Sequence, residues 1–186
     1  TAATVNAHAD WTELADENLA IGHYIAYRWA TAADPATWTL VTSASTRDAH
    51  VIFRISGAMN PANRAPQIGT VASGSSTTPD PPASVDPPGN AADYLFITMC
   101  CSAGEQADDE TYVTTFPTNY SYTTNEKTCG VAGTNLAGLI GVATRQLNTA
   151  VAEDPGTFTV SENASWRTQT IIVYPLVKKT TTGIAR

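Results

Sequence analysis

Side chains able to do chemistry are few in this sequence, and their spacing limits what they can do. His8, His23 and His50 never stand four residues apart beside a glutamate, the arrangement that holds zinc on a helix. They are expected as core or surface residues. A nucleophilic serine would occupy a G-x-S-x-G elbow, and the sequence has none. Cys100 and Cys101 fall inside a nearly continuous apolar run, where thiolate formation is disfavoured. With Cys129 they make an odd number without zinc-knuckle spacing, which leaves two readings: small buried hydrophobes, or a bridge from Cys129 to Cys100 or Cys101. The acidic clusters Asp16-Glu17 and Asp108-Asp109-Glu110 lack the Asp/Gly periodicity of a calcium loop. They read as solvated loop tips and not as a glycosidase carboxylate pair. No catalytic residue, metal site or cofactor is expected, and the chain is read as a non-enzyme.

Binding chemistry has better candidates. Tyr120 and Tyr122, in an Asn-Tyr-Ser-Tyr loop, are expected as contact surface, since exposed rings stack on sugars or anchor interfaces. Arg28 and Arg145, like Arg47 and Arg167, recur at matching places. They are expected to be structural, bonding turn carbonyls or a carboxylate such as Asp34 or Asp154.

The elements that would position these residues come in two copies. Residues 34–52 (DPATWTLVTSASTRDAHVI) align without gaps on residues 154–172 (DPGTFTVSENASWRTQTII) at an offset of 120, with eight of nineteen positions identical. Chance gives about one or two identities in so Thr- and Ala-rich a window. Trp38/Phe158, Leu40/Val160 and Val51/Ile171 are conservative pairs, and the Trp38/Phe158 pair is expected in the core. Upstream, YIAYR ending at Arg28 matches GVATR ending at Arg145, and Trp11-Thr-Glu-Leu falls where Tyr120 and its neighbours lie. Each copy then predicts a strand (Ile21 to Trp29; Leu139 to Gln146), an Asp-Pro turn, a short strand (Thr37 to Val41; Thr157 to Val160) and a longer β-branched strand (Ala49 to Ser56; Thr168 to Tyr174).

The second copy carries a further apolar strand, Asp93 to Cys101, expected at the centre of a sheet, and a short strand near Tyr112 to Phe116. Thr4-Val5 and Trp11 match the elements that follow it, but the first copy has no counterpart of Asp93 to Cys101 itself, and the start at Thr1 reads as processed, cut or incomplete. The first sheet is therefore expected to lack one central strand, its slot filled by upstream sequence or by a neighbouring chain. The domain expectation is residues 1–73 as first repeat, 74–90 as a Pro-rich crossover or linker with extended polyproline-like backbone, 91–177 as second repeat and 178–186 as a tail.

Composition sets outer bounds. Hydrophobic residues make up 42% and charged residues 15%, with abundant Thr, Ala and Ser, which suits sheets better than solvated helices. The net charge of −7 and scattered basic residues argue against a nucleic-acid partner. No apolar run approaches the ~20 residues of a membrane-spanning helix, so no membrane partner is expected.

The series WTEL, ADPATWTL, RISGA, TTPDPP, ADYLFI, GVATRQLN, EDPGTFTVS and IIVYP, spanning nearly the whole chain, resembles a family of phage and prophage-encoded virion proteins. That resemblance implies a virion surface component, either a head decoration or cement protein or a tail or fibre domain. The expected fold is all-β, a jelly-roll-like β-sandwich of two similar repeats. The expected function is structural, through assembly contacts with copies of itself and a major capsid, tail or filament protein, at the virion surface or outside the cell. A carbohydrate-binding adhesin using Tyr120 and Tyr122 on glycans, or an extracellular filament subunit held by exchanged strands, is the alternative.

Overall fold

The computed structural model describes residues 9–17, 21–39, 41–42, 49–83, 86–87, 92–104, 113–128, 137–148 and 151–176. Among them there is no helix, and the fold is all-β. The strands are β1 (Thr12–Glu17), β2 (His23–Tyr27), β3 (Gln67–Ile68), β4 (Ala72–Ser76), β5 (Asp93–Gly104), β6 (Val113–Thr115), β7 (Tyr122–Thr128), β8 (Ala137–Asn148), β9 (Thr159–Val160) and β10 (Ala164–Val173).

The apolar run in β5 is explained by its place. It pairs antiparallel with β8 from Asp93↔Asn148 to Gly104↔Ala137, and on its other edge with β10 from Leu95↔Val173 to Ala103↔Ser165. Bonded on both edges and covered on both faces, such a strand has no solvated side to mark with polar residues. β7 closes the far edge of β8, while β4 and β3 share the far edge of β10. The threonines of this centre are buried but satisfied. Thr170 Oγ1 donates to Thr98 Oγ1 across the strands at 3.2 Å, and Thr168 Oγ1 donates to the Asp80 carbonyl at 3.0 Å.

On one face of this sheet lies the β1–β2 hairpin, which makes the molecule β-sandwich-like. Ile25 of β2 shares a core with Ile97, Met99, Cys101, Val142 and Val173, and Leu14, Ala15, Val51 and Phe53 pack against it. One end of this layer is polar. His23 and Gln169 join by a 2.7 Å hydrogen bond, Gln169 Nε2 donates to the Gly69 carbonyl at 2.8 Å, and Arg167 reaches Glu17.

Two smaller clusters cover the opposite face. Tyr94, Phe96, Ile172 and Tyr174 form one, roofed by Met59, Tyr120 and Leu147. Its lid is anchored by the Met59 N–H on the Tyr174 carbonyl at 2.8 Å and the Leu176 N–H on the Gly57 carbonyl at 2.7 Å. Gly57 turns the chain there with φ of 75°, a conformation that glycine adopts without strain. The second cluster holds Cys100, Val113, Leu139, Phe158, Val160 and Trp166 beneath the β6–β9 pair.

Three sequence expectations need correction. Thr37 to Val41 is not a strand at its described residues, and its match Thr157 to Val160 is a strand only at Thr159–Val160. Ala49 to Ser56 is not a strand either, although Val51 and Phe53 face the core while Ile52 and Arg54 face out. Alternation gives such a segment two faces, but a strand also needs a hydrogen-bonded neighbour. Finally, the expected crossover begins as strand: Gly74 to Ser76 belong to β4, and the chain beyond them accepts N–H groups from Phe158 on Pro79 at 2.8 Å and from Val160 on Thr77 at 2.9 Å. Pro79, Pro81 and Pro87 are fully buried, so the described part of this segment is packed against the sheet. Thr4-Val5, Asp108 to Glu110, Cys129 and the tail at 178–186 lie outside the described residues.

Candidate functional site

The residues with chemical potential are built into the core. Cys100 and Cys101 are free and buried in β5, and burial pushes both thiols up, Cys101 to about 12. Neither is a nucleophile at neutral pH. Among the described residues, no three of His, Cys, Asp and Glu group as metal ligands.

His23 is buried at the joint of the two layers, where loss of water lowers its pKa from the ordinary 6.5, opposed mainly by its bond to Gln169. Arg167, Glu17 and Asp16 are the charged groups that face it. A lowered value in the folded state means the unfolded chain binds the proton more readily. Stability is then full above the unfolded value and falls as pH drops through 6.5 toward the folded one. Thermal melting of the protein and of His23→Gln across this range should show a steeper acid loss in the parent, and parallel curves would contradict that role.

The repeat-matched arginines among the described residues are all ion-paired, one of them with a partner other than the one expected. Arg28 binds Asp34 at 2.6 Å and lies over the Trp38 ring, 4.2 Å from its centroid. Thr31 also bonds Asp34, through its hydroxyl at 2.7 Å and its N–H at 3.1 Å. These hydrogen bonds, the Thr31 hydroxyl foremost, hold the Asp34 carboxyl below its ordinary value, with Arg28 adding to them. Arg145 instead binds Glu153, the residue before Asp154, also at 2.6 Å. Buried Arg167 sits 3.4 Å from Glu17, and its match Arg47 lies outside the described residues. Arg167→Ala is expected to lower the unfolding free energy by about 1.5–3 kcal/mol, the range for a hydrogen bond to a charged group. An unchanged urea midpoint would refute this.

The aromatic candidates divide. Phe158 is fully buried with its ring 6.0 Å from that of Phe116, whereas Trp38 is half-buried and meets Trp11 edge to face at 5.7 Å. These matched positions therefore have unlike surroundings. Tyr120 is carried by the Pro117 to Tyr120 turn, with Asn119 at a φ of 70°, onto the Tyr94 cluster. Burial there, with the Glu153 carboxylate close by, raises its phenol. Tyr122 opens β7 opposite Thr144, and the loop is thus largely taken up by packing and pairing.

Sequence reasoning passed over a set of exposed large apolar residues. Trp29, just past β2, is 48% exposed, and Ile52 is 68% exposed, with Ile55 and Val41 also open to solvent. The signal was present in Val51-Ile52-Phe53, where apolar residues occupy both faces of an alternating segment. Among the described residues β2 pairs with β1 alone, and residues 49–55 belong to no strand pair. No family model matches this chain, and no curated protein or solved structure matches it either.

Proposed function

We propose that this chain is a non-catalytic structural component of a virion surface, a capsid decoration or tail-appendage module. It works through sheet-edge contacts with copies of itself and with a major capsid, tail or filament protein. The observation that carries this reading is the solvent exposure of the large apolar residues Trp29, Ile52 and Ile55, together with β2 pairing with β1 alone among the described residues. Buried thiols, a buried histidine and carboxylate-paired arginines leave the described residues better suited to holding shape than to turnover.

The jelly-roll-like architecture of two repeats belongs to the same proposal. In its favour, the sequence-matched pairs Ile25/Val142, Val51/Ile171 and Phe53/Val173 all contribute to one core. Thr12 faces Tyr27 in one hairpin as Tyr122 faces Thr144, the residue matched to Tyr27, in the other. Electron microscopy of purified particles, labelled with antibody raised against residues 1–186, tests the function. Label on the outside of intact particles is expected, and absence of the protein from such particles overturns the reading.

A further inference from the structure

We propose that His23, Gln169 and Arg167 form an acid-sensitive clasp that holds the β1–β2 hairpin against β10 and lets it go when His23 takes up a proton. The clasp begins with alternation in β10. Ile171 and Val173 turn to the apolar core that contains Ile25, and the same period of two puts Arg167 and Gln169 on that face nearer the start of the strand. The hairpin meets them with its own polar end, where His23 of β2 stands opposite Glu17 of β1.

The hydrogen bonds at this joint admit one form of the ring. Gly69 is pinned by its N–H on the Thr170 carbonyl at 2.8 Å, and its own carbonyl accepts from Gln169 Nε2, also at 2.8 Å. The Gln169 amide is thereby oriented. Its Oε1 is left to face His23 Nε2 at 2.7 Å, so that nitrogen must carry the hydrogen and donate it. The other ring nitrogen, Nδ1, is buried with no hydrogen-bond partner among the described residues. Left bare, it is a weak acceptor in a dry place; protonated, it becomes a charged donor with nothing to receive its hydrogen.

The surroundings reinforce this choice. Loss of water is the strongest influence on the ring and favours its neutral form, and buried Arg167 adds to it as a like charge. The bond to Gln169 and the carboxylates of Glu17 and Asp16 on β1 oppose it. Glu17 is already engaged by the Arg167 guanidinium at 3.4 Å, and its side chain is 40% exposed, so solvent weakens its pull on the ring. A charged His23 is relieved by opening the joint. The hairpin is the part that moves, since β1 and β2 pair only with each other among the described residues, whereas β10 is bonded to β5, β4 and β3. Its departure uncovers one face of β5 at Ile97, Met99 and Cys101.

Amide exchange followed between about pH 8 and about pH 5, the interval in which histidine titrates, reads the opening once each rate is divided by its intrinsic value. A proton taken up on opening lowers protection by up to about tenfold per pH unit, so β1 and β2 should lose at least about threefold more protection than β5 and β8. In His23→Gln this extra loss should vanish. Nitrogen NMR of the histidine-labelled parent serves if that variant does not fold, with His8→Gln and His50→Gln assigning the signal. Near neutrality His23 should carry its hydrogen on Nε2 alone, and the charged ring should appear only as the hairpin loses protection. The proposal fails if the closed form carries the hydrogen on Nδ1, if hairpin and sheet lose protection in parallel, or if His23→Gln keeps the extra loss.

Discussion

Phe158→Ala is expected to lower the unfolding free energy by about 3–5 kcal/mol, the range for removing a buried phenyl ring. The ring is fully buried among Cys100, Val113, Leu139, Val160 and Trp166, and it meets Phe116 edge to face. It also locks β9, whose neighbouring N–H groups bond Pro79 and Thr77, onto the sheet. Truncation would leave a cavity that two paired strands and a proline-rich segment cannot easily close. The sequence-matched Trp38→Ala should cost only about 1–2 kcal/mol, the combined scale of one cation–π contact and one aromatic pair. Urea denaturation of both variants measures the contrast. Equal losses would mean that the two positions are buried alike, contrary to the described surroundings.

Gly74→Ala is expected to cost about 1–3 kcal/mol, the usual penalty for overpacking. Gly74 faces Trp166 across the β4–β10 pair, and a Cβ on it would come within 2.6 Å of the indole Cζ2. The ring has little freedom to move aside, since its Nε1 donates to Ser76 Oγ at 2.9 Å and its body is part of the Phe158 cluster. Combining Gly74→Ala with Trp166→Leu should therefore cost less than the sum of the two single changes. Strict additivity, or a tolerated alanine, would show that the close approach does not constrain this edge.

These two sites show where the sequence was legible and where it was not. β5 and β8 could be read directly, because an uninterrupted apolar run and a β-branched strand each carry their burial in their own residues. β4 could not. Ala-Ser-Gly-Ser-Ser has no strand propensity, and it pairs because its small side chains let the Trp166 indole lie against it. Residues 49–55 show the reverse case: their alternation was legible, but strand formation depends on a neighbour that no local pattern reports. Among the candidate residues, the Arg28 to Asp34 bond followed from the turn sequence. The choice of Glu153 over Asp154 by Arg145 did not, since adjacent carboxylates differ only in where the backbone aims them. Tyr120 was expected on the surface because its neighbours are polar, yet its ring is half-buried over a cluster assembled from four distant segments.

The central claim is that β5, bonded by β8 and β10 along its two edges, is the buried centre of an all-β fold. Amide hydrogen exchange on residues 1–186 alone tests it most directly. The amides of β5 should exchange slowest, at least about 100-fold more slowly than those of β3 at the edge of the same sheet, as expected for a strand bonded on both edges and buried on both faces. Exchange in β5 as fast as in β3 would show that β5 is not the centre of the sheet and would contradict the account.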